Sequence, residues 1–396
     1  MMNFVGIING DSQVVEKIVA SQAHHKKIDG HAPGLTGNDL NAYIAAGVYS
    51  DHECSNVEEA MAKLERGQFI MIREGTAARN LEALAPLLCE KYIERCMFCT
   101  DDKHPSDLLE KGHIDYIARE AINKYGVDPI IAVKAACHHA SRYFLLNNRG
   151  AIAPGYLADF AVIDNFKDFN VEMVFKKGIL YWNNGELRDF EAPKIEEYLD
   201  KRAHDTFHVS TLTPDDFRDT RQRGVLGMVP GEIITTDNGY ADHVDLEKDI
   251  LKIAVVERHK GTHHIGLGYI QGYGLKSGAV ATSISHDSHN IIVVGTNSAD
   301  MAFAANYIVE HHGGIVVVEN GTVKGDVVLE IAGIMSDRPL TEVNDQLEAA
   351  KDAAFTLGVS RGIDPFMTLS FMALPVIPTL RITTRGIIDV VTQQYT

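Results

Sequence analysis

The chain has 396 residues, 45% of them apolar, enough at roughly 100–200 residues per domain for two or three domains with sizeable cores. Its 37 Lys plus Arg stand against 54 Asp plus Glu, a net charge of −17. That field repels nucleic-acid phosphates and anionic membranes and leaves a neutral or cationic small molecule as the expected partner. The five cysteines (Cys54, Cys89, Cys96, Cys99 and Cys137) are odd in number and form no disulfide framework, so a cytoplasmic setting is expected. No apolar run reaches the roughly 20 residues of a membrane span.

The first segment, MMNFVGIINGD, lacks the basic and apolar regions of a signal peptide and reads as the end of a strand entering a loop. Residues 26–103 then repeat one rhythm, an apolar run that ends in chemically capable residues and is followed by an amphipathic helix. KKIDGH ends at His31, AGVYSDHE at Asp51–Glu53, QFIMIREG at Arg73 and Glu74, and RCMFCTDD at Asp101 and Asp102. The helices expected after the first three hold Asp39, Leu40, Tyr43 and Ile44, then VEEAMAKLERG, then AARNLEALAPLLCEKYI. The strand ends lie about 20–27 residues apart, the length of one β/α unit. The CxxC of Cys96 and Cys99 falls inside such an apolar run and reads as buried strand rather than a redox or zinc motif.

Parallel (β/α) barrels carry their chemistry at the C-terminal ends of the strands, where every strand delivers its last residue to one rim. A closed barrel takes eight units and about 250 residues. Four clear units and a stub are present here. The expected fold is therefore α/β, with the second half of a (β/α)8 barrel over residues 1–147, closed by a helix over 128–146. Residues 148–190 alternate apolar residues with Gly, Pro and Asn-Gly turns, as a small β-sandwich segment does. Residues 191–396 open with the helix IEEYLDKRA and a polar linker around Asp205 and continue as a C-terminal α/β domain. Its strand-like runs are LKIAVVER, HHIGLGYIQGYG, GAVATSIS, NIIVVGT and GGIVVVENGTV, with helices over 298–311 and 340–358.

His31, His52 and Asp101 stand at the ends of separate β/α units. Two imidazoles and a carboxylate are the donors a hydrolytic metal centre uses. A metal there lowers the pKa of water, and a neighbouring carboxylate such as Glu53 or Asp101 relays its proton to a leaving amine. The competing reading is structural: a lone histidine at a strand end, or an Asp that caps the following helix, as Asp102 does before HPSDLLEKG. Arg73 and Glu74 either hydrogen-bond a substrate edge or form a rim salt bridge. In the C-terminal domain, His259, His263 and His264 (RHKGTHH) and His286 and His289 (SHDSHN) either bind metal or substrate or belong to polar turns.

The run GHAPG, SDHE, MIREGTAARNL and CMFCTDDKHPSDLLEKGHID resembles the second half of the barrel of the adenine deaminase family, in the amidohydrolase superfamily. GAIAPGYLADFAVID is similar to the superfamily's small β-sandwich, and SHDSHNIIVVGT with MTLSFMALPVIP to the extra C-terminal domain of that family. The resemblance runs the length of the chain. It implies metal-dependent hydrolysis of adenine to hypoxanthine and ammonia. His31 and His52 would be the metal ligands of the fifth and sixth barrel strands, and Asp101 the eighth-strand carboxylate that touches metal and nucleophile. Glu53 would be a second catalytic carboxylate, with Arg73, Glu74, His286 and His289 at the substrate. The implied metal is manganese or iron, often as a pair.

The family's His-x-His pair and the bridging carboxylate of its fourth strand match nothing upstream of His31. The expectation is thus an N-terminally shortened chain with little activity alone, either a homo-oligomer or complemented by an N-terminal half. The alternatives are another amidohydrolase (a guanine or cytosine deaminase, or a cyclic amidase) and a non-catalytic fragment.

Overall fold

Asn3 decides how the chain begins. Its side chain accepts the Gly6 N–H and starts a short helix, α1 (Phe4–Ile8). The strand end expected here is therefore a helix, and Ile7 packs from it against Val14, Ile18, Leu40 and Tyr43. The computed structural model describes residues 1–76, 78–219, 221–229 and 234–396, which form two units, Met1–Ala192 and Pro193–Thr396.

In the first unit Asp11 caps α2 (Ser12–Ala23) through the Gln13 and Val14 N–H groups. After α3 (Gly37–Ala45) come β1 (Ser50–Asp51), α4 (Val57–Leu64), β2 (Phe69–Arg73), α5 (Leu81–Leu84) and β3 (Cys96–Cys99). The three strands pair in parallel in the order β1-β2-β3, with Ser50 opposite Phe69 and Met71 opposite Met97. β2 and β3 bury Ile70, Ile72, Cys96 and Phe98 against Ala60 of α4 and Leu81 and Leu84 of α5. At about 25 cal/mol per Å², each such fully buried side chain contributes roughly 1.5–3 kcal/mol. Burial also raises the Cys96 thiol to about 12, which leaves it an inert core group.

Two expected elements are shorter than the sequence pattern implies. The KKIDGH run makes one parallel bridge, Ile28 to Val48. Beyond it, side chains take the backbone N–H groups that a ladder would use: Gly30 N–H donates to Ser50 Oγ (3.2 Å) and His31 N–H to Tyr43 Oη (2.9 Å). The helix expected over 77–93 reduces to α5 and single turns at Ala85–Leu87 and Ile93–Arg95, because Pro86 cannot continue it; Ala77 lies outside the described residues.

Then follow α6 (Pro105–Glu110), α7 (Ile114–Asn123) and α8 (Pro129–Val133), the last capped by Asp128. α8 runs through a π-type turn, Lys134–His138, into α9 (His139–Tyr143), so the run expected as one helix is interrupted. β4 (Phe160–Ile163), β5 (Val171–Lys176), β6 (Ile179–Asn183) and β7 (Glu186–Leu187) form an antiparallel meander.

The second unit opens with α10 (Glu197–His204). Its main sheet takes β8 (Arg223–Met228), β9 (Thr235–Ala241), β10 (Ile250–Val256), β11 (Ile265–Gln271), β12 (Ala279–Thr282) and β13 (Ile291–Gly295). After α11 (Ser298–Glu310), β14 (Gly314–Glu319) and β15 (Thr322–Val328) complete it in the order β15-β14-β12-β13-β10-β11-β8-β9. Pairing is antiparallel except between β11 and β8. Asn297 caps α11, whose Met301, Ala304, Ala305 and Ile308 pack on Ala279, Val293 and Val316. α12 (Leu340–Thr356), α13 (Met367–Met372) and the small antiparallel sheet β16 (Leu380–Thr383), β17 (Gly386–Asp389), β18 (Gln394–Tyr395) finish the chain. No helix among the described residues is long and apolar enough to cross a membrane.

Candidate metal centre

The ends of adjacent parallel strands put neighbouring loops side by side, and the first unit uses this at the end of β1. His31 sits in the loop before α3, while His52 and Glu53 directly follow Asp51. Gly30 permits the approach: a Cβ there would stand 1.9 Å from the Ser50 carbonyl oxygen. The two imidazoles meet edge to face with ring centroids 5.4 Å apart. His31 Nδ1 is 3.4 Å from His52 Nε2, and Glu53 Oε1 lies 3.3 Å from the first and 3.2 Å from the second.

These atoms form a nearly equilateral triangle. Donors held at about 2.1 Å from one ion, in tetrahedral or octahedral geometry, stand roughly 3.0–3.4 Å apart. The triangle therefore fits a divalent cation, and two imidazoles with one carboxylate suit manganese, iron or zinc. His31 and Glu53 are buried and His52 is half-buried.

Electrostatics hold Glu53 ionised. Burial works to raise its carboxyl, but hydrogen bonds from His31 and His52 and the Arg73 charge outweigh it and hold the group far below the usual carboxylate range. Burial works to lower His52, yet its hydrogen bond to Glu53 and the negative charges of Glu53, Asp101 and Asp51 raise it overall.

The structure places Asp101 differently from Glu53. It follows β3 with a left-handed backbone (φ 52°), and its Oδ2 meets Arg73 Nη2 at 2.7 Å. Arg73 Nη1 donates to Glu53 Oε1, so the guanidinium spans the two carboxylates. Asp101 thus reaches the histidine site through Arg73. Glu74, next along the strand, lies on the opposite face: its Oε2 accepts the Leu81 N–H at the start of α5 (3.4 Å), and burial raises its carboxyl.

In the second unit the His286 ring stacks on Phe371 with centroids 4.8 Å apart. His289 Nδ1 accepts the Ser285 N–H (3.2 Å), and Arg258 donates to the His289 carbonyl. The Ser285–His289 bond is local to this segment, whereas the His286 N–H donates to the distant Ser370 carbonyl (3.0 Å).

Glu59 and Lys63 were missed by sequence reasoning. They lie four apart on α4, within the VEEAMAKLERG helix that the sequence pattern marked only as amphipathic. Both are buried behind the donor triangle, and Lys63 is 0% exposed. The available signal was that they share the inward face of Ala60.

Residues 1–180 match the amidohydrolase family, and residues 232–394 the adenine deaminase C-terminal domain. The chain is 44% identical over 413 residues to an adenine deaminase of Kosmotoga olearia, covering all of this chain and 69% of that protein. It is likewise 44% identical over 398 residues to one from Desulfatibacillum aliphaticivorans, covering 98% of this chain and 69% of that one. A crystal structure of N-acetyl-D-glucosamine-6-phosphate deacetylase from Mycobacterium smegmatis is 18% identical over 43% of this chain and 51% of its own, with a TM-score of 0.37. Identity to the two adenine deaminases along 98–100% of this chain and the two matched regions agree: the chain belongs to the adenine deaminases of the amidohydrolase family.

Proposed function

We propose that the chain works on adenine through a metal held by His31, His52 and Glu53, with manganese or iron as the ion. The observation that carries this reading is the donor triangle of 3.2–3.4 Å edges. When bound, such an ion supplies the Lewis acidity that makes water a nucleophile near neutral pH. Asp101 takes the proton of the attacking water and delivers it to the departing amine as the C6–O bond forms and the C6–N bond breaks. Arg73 holds Asp101 and Glu53 in register for that relay. The products are hypoxanthine and ammonia.

The same reading takes residues 1–147 as the second half of a (β/α)8 barrel, 148–190 as a β-sandwich segment and 191–396 as the family's C-terminal domain. Three parallel strands that alternate with helices support the first assignment. Among the described residues His31, His52 and Glu53 offer donors for one ion, where the family often uses a pair. The 396-residue chain alone is therefore expected to turn over little adenine.

The test is ammonia release from adenine with Mn(II), by this chain alone and with the N-terminal part of the Kosmotoga olearia relative added as a separate polypeptide. Activity only in the mixture, lost in His52→Ala, supports the reading. Wild-type-like activity in His52→Ala would overturn it.

A further inference from the structure

Behind the donor triangle, Asp51, Cys54 and Glu59 bring a second set of metal-type ligand atoms together, all of them buried. A cation already sits against two of these side chains, the ammonium of Lys63. Its Nζ donates to Asp51 Oδ2 (2.9 Å), Glu59 Oε1 (2.7 Å) and the Ala32 carbonyl (2.8 Å). All three N–H donors of the lysine are thereby used.

The acceptors in turn grip the backbone beside the donor triangle. Asp51 Oδ1 accepts the Ala32 N–H at 2.8 Å, and its Oδ2 accepts the Glu53 N–H at 3.2 Å. Glu59 Oε1 accepts the Gly34 N–H at 2.8 Å, and Glu59 Oε2 the Ser55 N–H at 3.4 Å. Ala32 follows His31 directly and is held at both its N–H and its carbonyl. Asp51 precedes His52 directly. The loop of one donor and the strand end of the other two therefore share one buried ion network, and α4 supplies its cation.

We infer that Lys63 is the positioning residue of the metal centre: its ammonium, bound between Asp51, Glu59 and Ala32, locks the His31 loop to the strand end that carries His52 and Glu53. The inference rests on reading His31, His52 and Glu53 as the metal donors. Groups one step behind the ligands set their orientation, and losing such a group weakens metal binding by about 10–100-fold. A lysine that merely filled the core would change melting temperature and leave the mutual placement of the two imidazoles alone.

The experiment uses the full chain, metal-free, with labelled histidines. It reads the nuclear Overhauser contact between the His31 and His52 rings, then the Kd for Mn(II) by paramagnetic resonance of the free ion. Lys63→Met is expected to keep its far-UV circular dichroism, lose the ring-to-ring contact and bind Mn(II) about 10–100-fold more weakly. If Lys63→Met does not fold, Glu59→Gln decides; it keeps the lysine and removes one charge, and is expected to weaken the contact and raise the Kd about 10-fold. A folded variant with the wild-type contact and wild-type Kd overturns the inference. Failure of the metal reading looks different: the wild-type chain would not bind Mn(II), while the ring contact would still disappear in Lys63→Met.

Discussion

Arg73 donates to Glu53 through the same carboxylate oxygen that faces both His31 and His52, and its other terminal nitrogen meets Asp101 at 2.7 Å. One guanidinium, at the end of β2, therefore neutralises carboxylates that follow β1 and β3, the two strands flanking its own. Arg73→Met removes the partner of buried Glu53 as well as that of exposed Asp101 and, through Glu53, is expected to destabilise the metal-free protein by about 3–5 kcal/mol. A divalent ion substitutes for the lost charge, so Mn(II) should raise the Tm of Arg73→Met more than that of the wild type. Calorimetry with and without Mn(II) measures this; equal metal-induced shifts would refute the role.

The three donors should act as a set. His31→Ala, His52→Ala and Glu53→Gln are each expected to weaken Mn(II) binding by more than the ~10–100-fold typical of groups behind the ligands. Asp101→Asn should leave the Mn(II) Kd within about threefold, since Asp101 reaches the triangle through Arg73, while reducing ammonia release in the complemented assay by about 100-fold or more. Isothermal titration of the four variants separates holding the ion from moving the proton. A loss of affinity in Asp101→Asn as large as in His52→Ala would place Asp101 among the ligands instead.

Gly30 is required for space. Its backbone passes so near β1 that a Cβ would stand 1.9 Å from the Ser50 carbonyl and 2.9 Å from a Val48 methyl. Gly30→Ala must push the loop and strand apart and is expected to cost about 1–3 kcal/mol. It should also separate His31 from His52, so its Mn(II) affinity falls together with its Tm. Denaturant melts paired with metal titration test both; an unchanged Kd would show that the loop absorbs the methyl group without moving His31.

In the second unit, Asp219 supplies a pH-dependent contribution. Burial works to raise its carboxyl, but hydrogen bonds from the Arg221 side chain and backbone and from Arg223 outweigh it and hold it far below the usual range. A carboxyl depressed in the folded state stabilises the protein above its unfolded pKa, near 3.9, and loses that contribution as pH falls through the folded value. Asp219→Asn is therefore expected to lower Tm by roughly 4 °C at pH 7, with the gap shrinking as pH falls below about 4. Melting curves at pH 7 and pH 2.5 decide; a gap of the same size at both would remove the charge from the account.

Local pattern carried much of this protein. The apolar runs QFIMIR and RCMFC are strands because their residues are buried on neighbouring elements, and the helices of Ser298–Glu310 and Leu340–Thr356 follow from their own periodicity. The motifs at the strand ends were enough to point to adenine deamination, because the family's chemistry sits where parallel strands end. What local pattern could not carry is which side chain meets which. Asn3 turned an apparent strand end into a helix, and side chains of Ser50 and Tyr43 took N–H groups that a ladder would have used. Glu53 rather than Asp101 lies between the two imidazoles, and Lys63 occupies a fully buried site. The contacts of His31 with Tyr43 and of Lys63 with Ala32 and Asp51 join residues 12 to 31 positions apart, and their energies depend on burial and on partners that exist only once β1, α4 and the His31 loop have packed together.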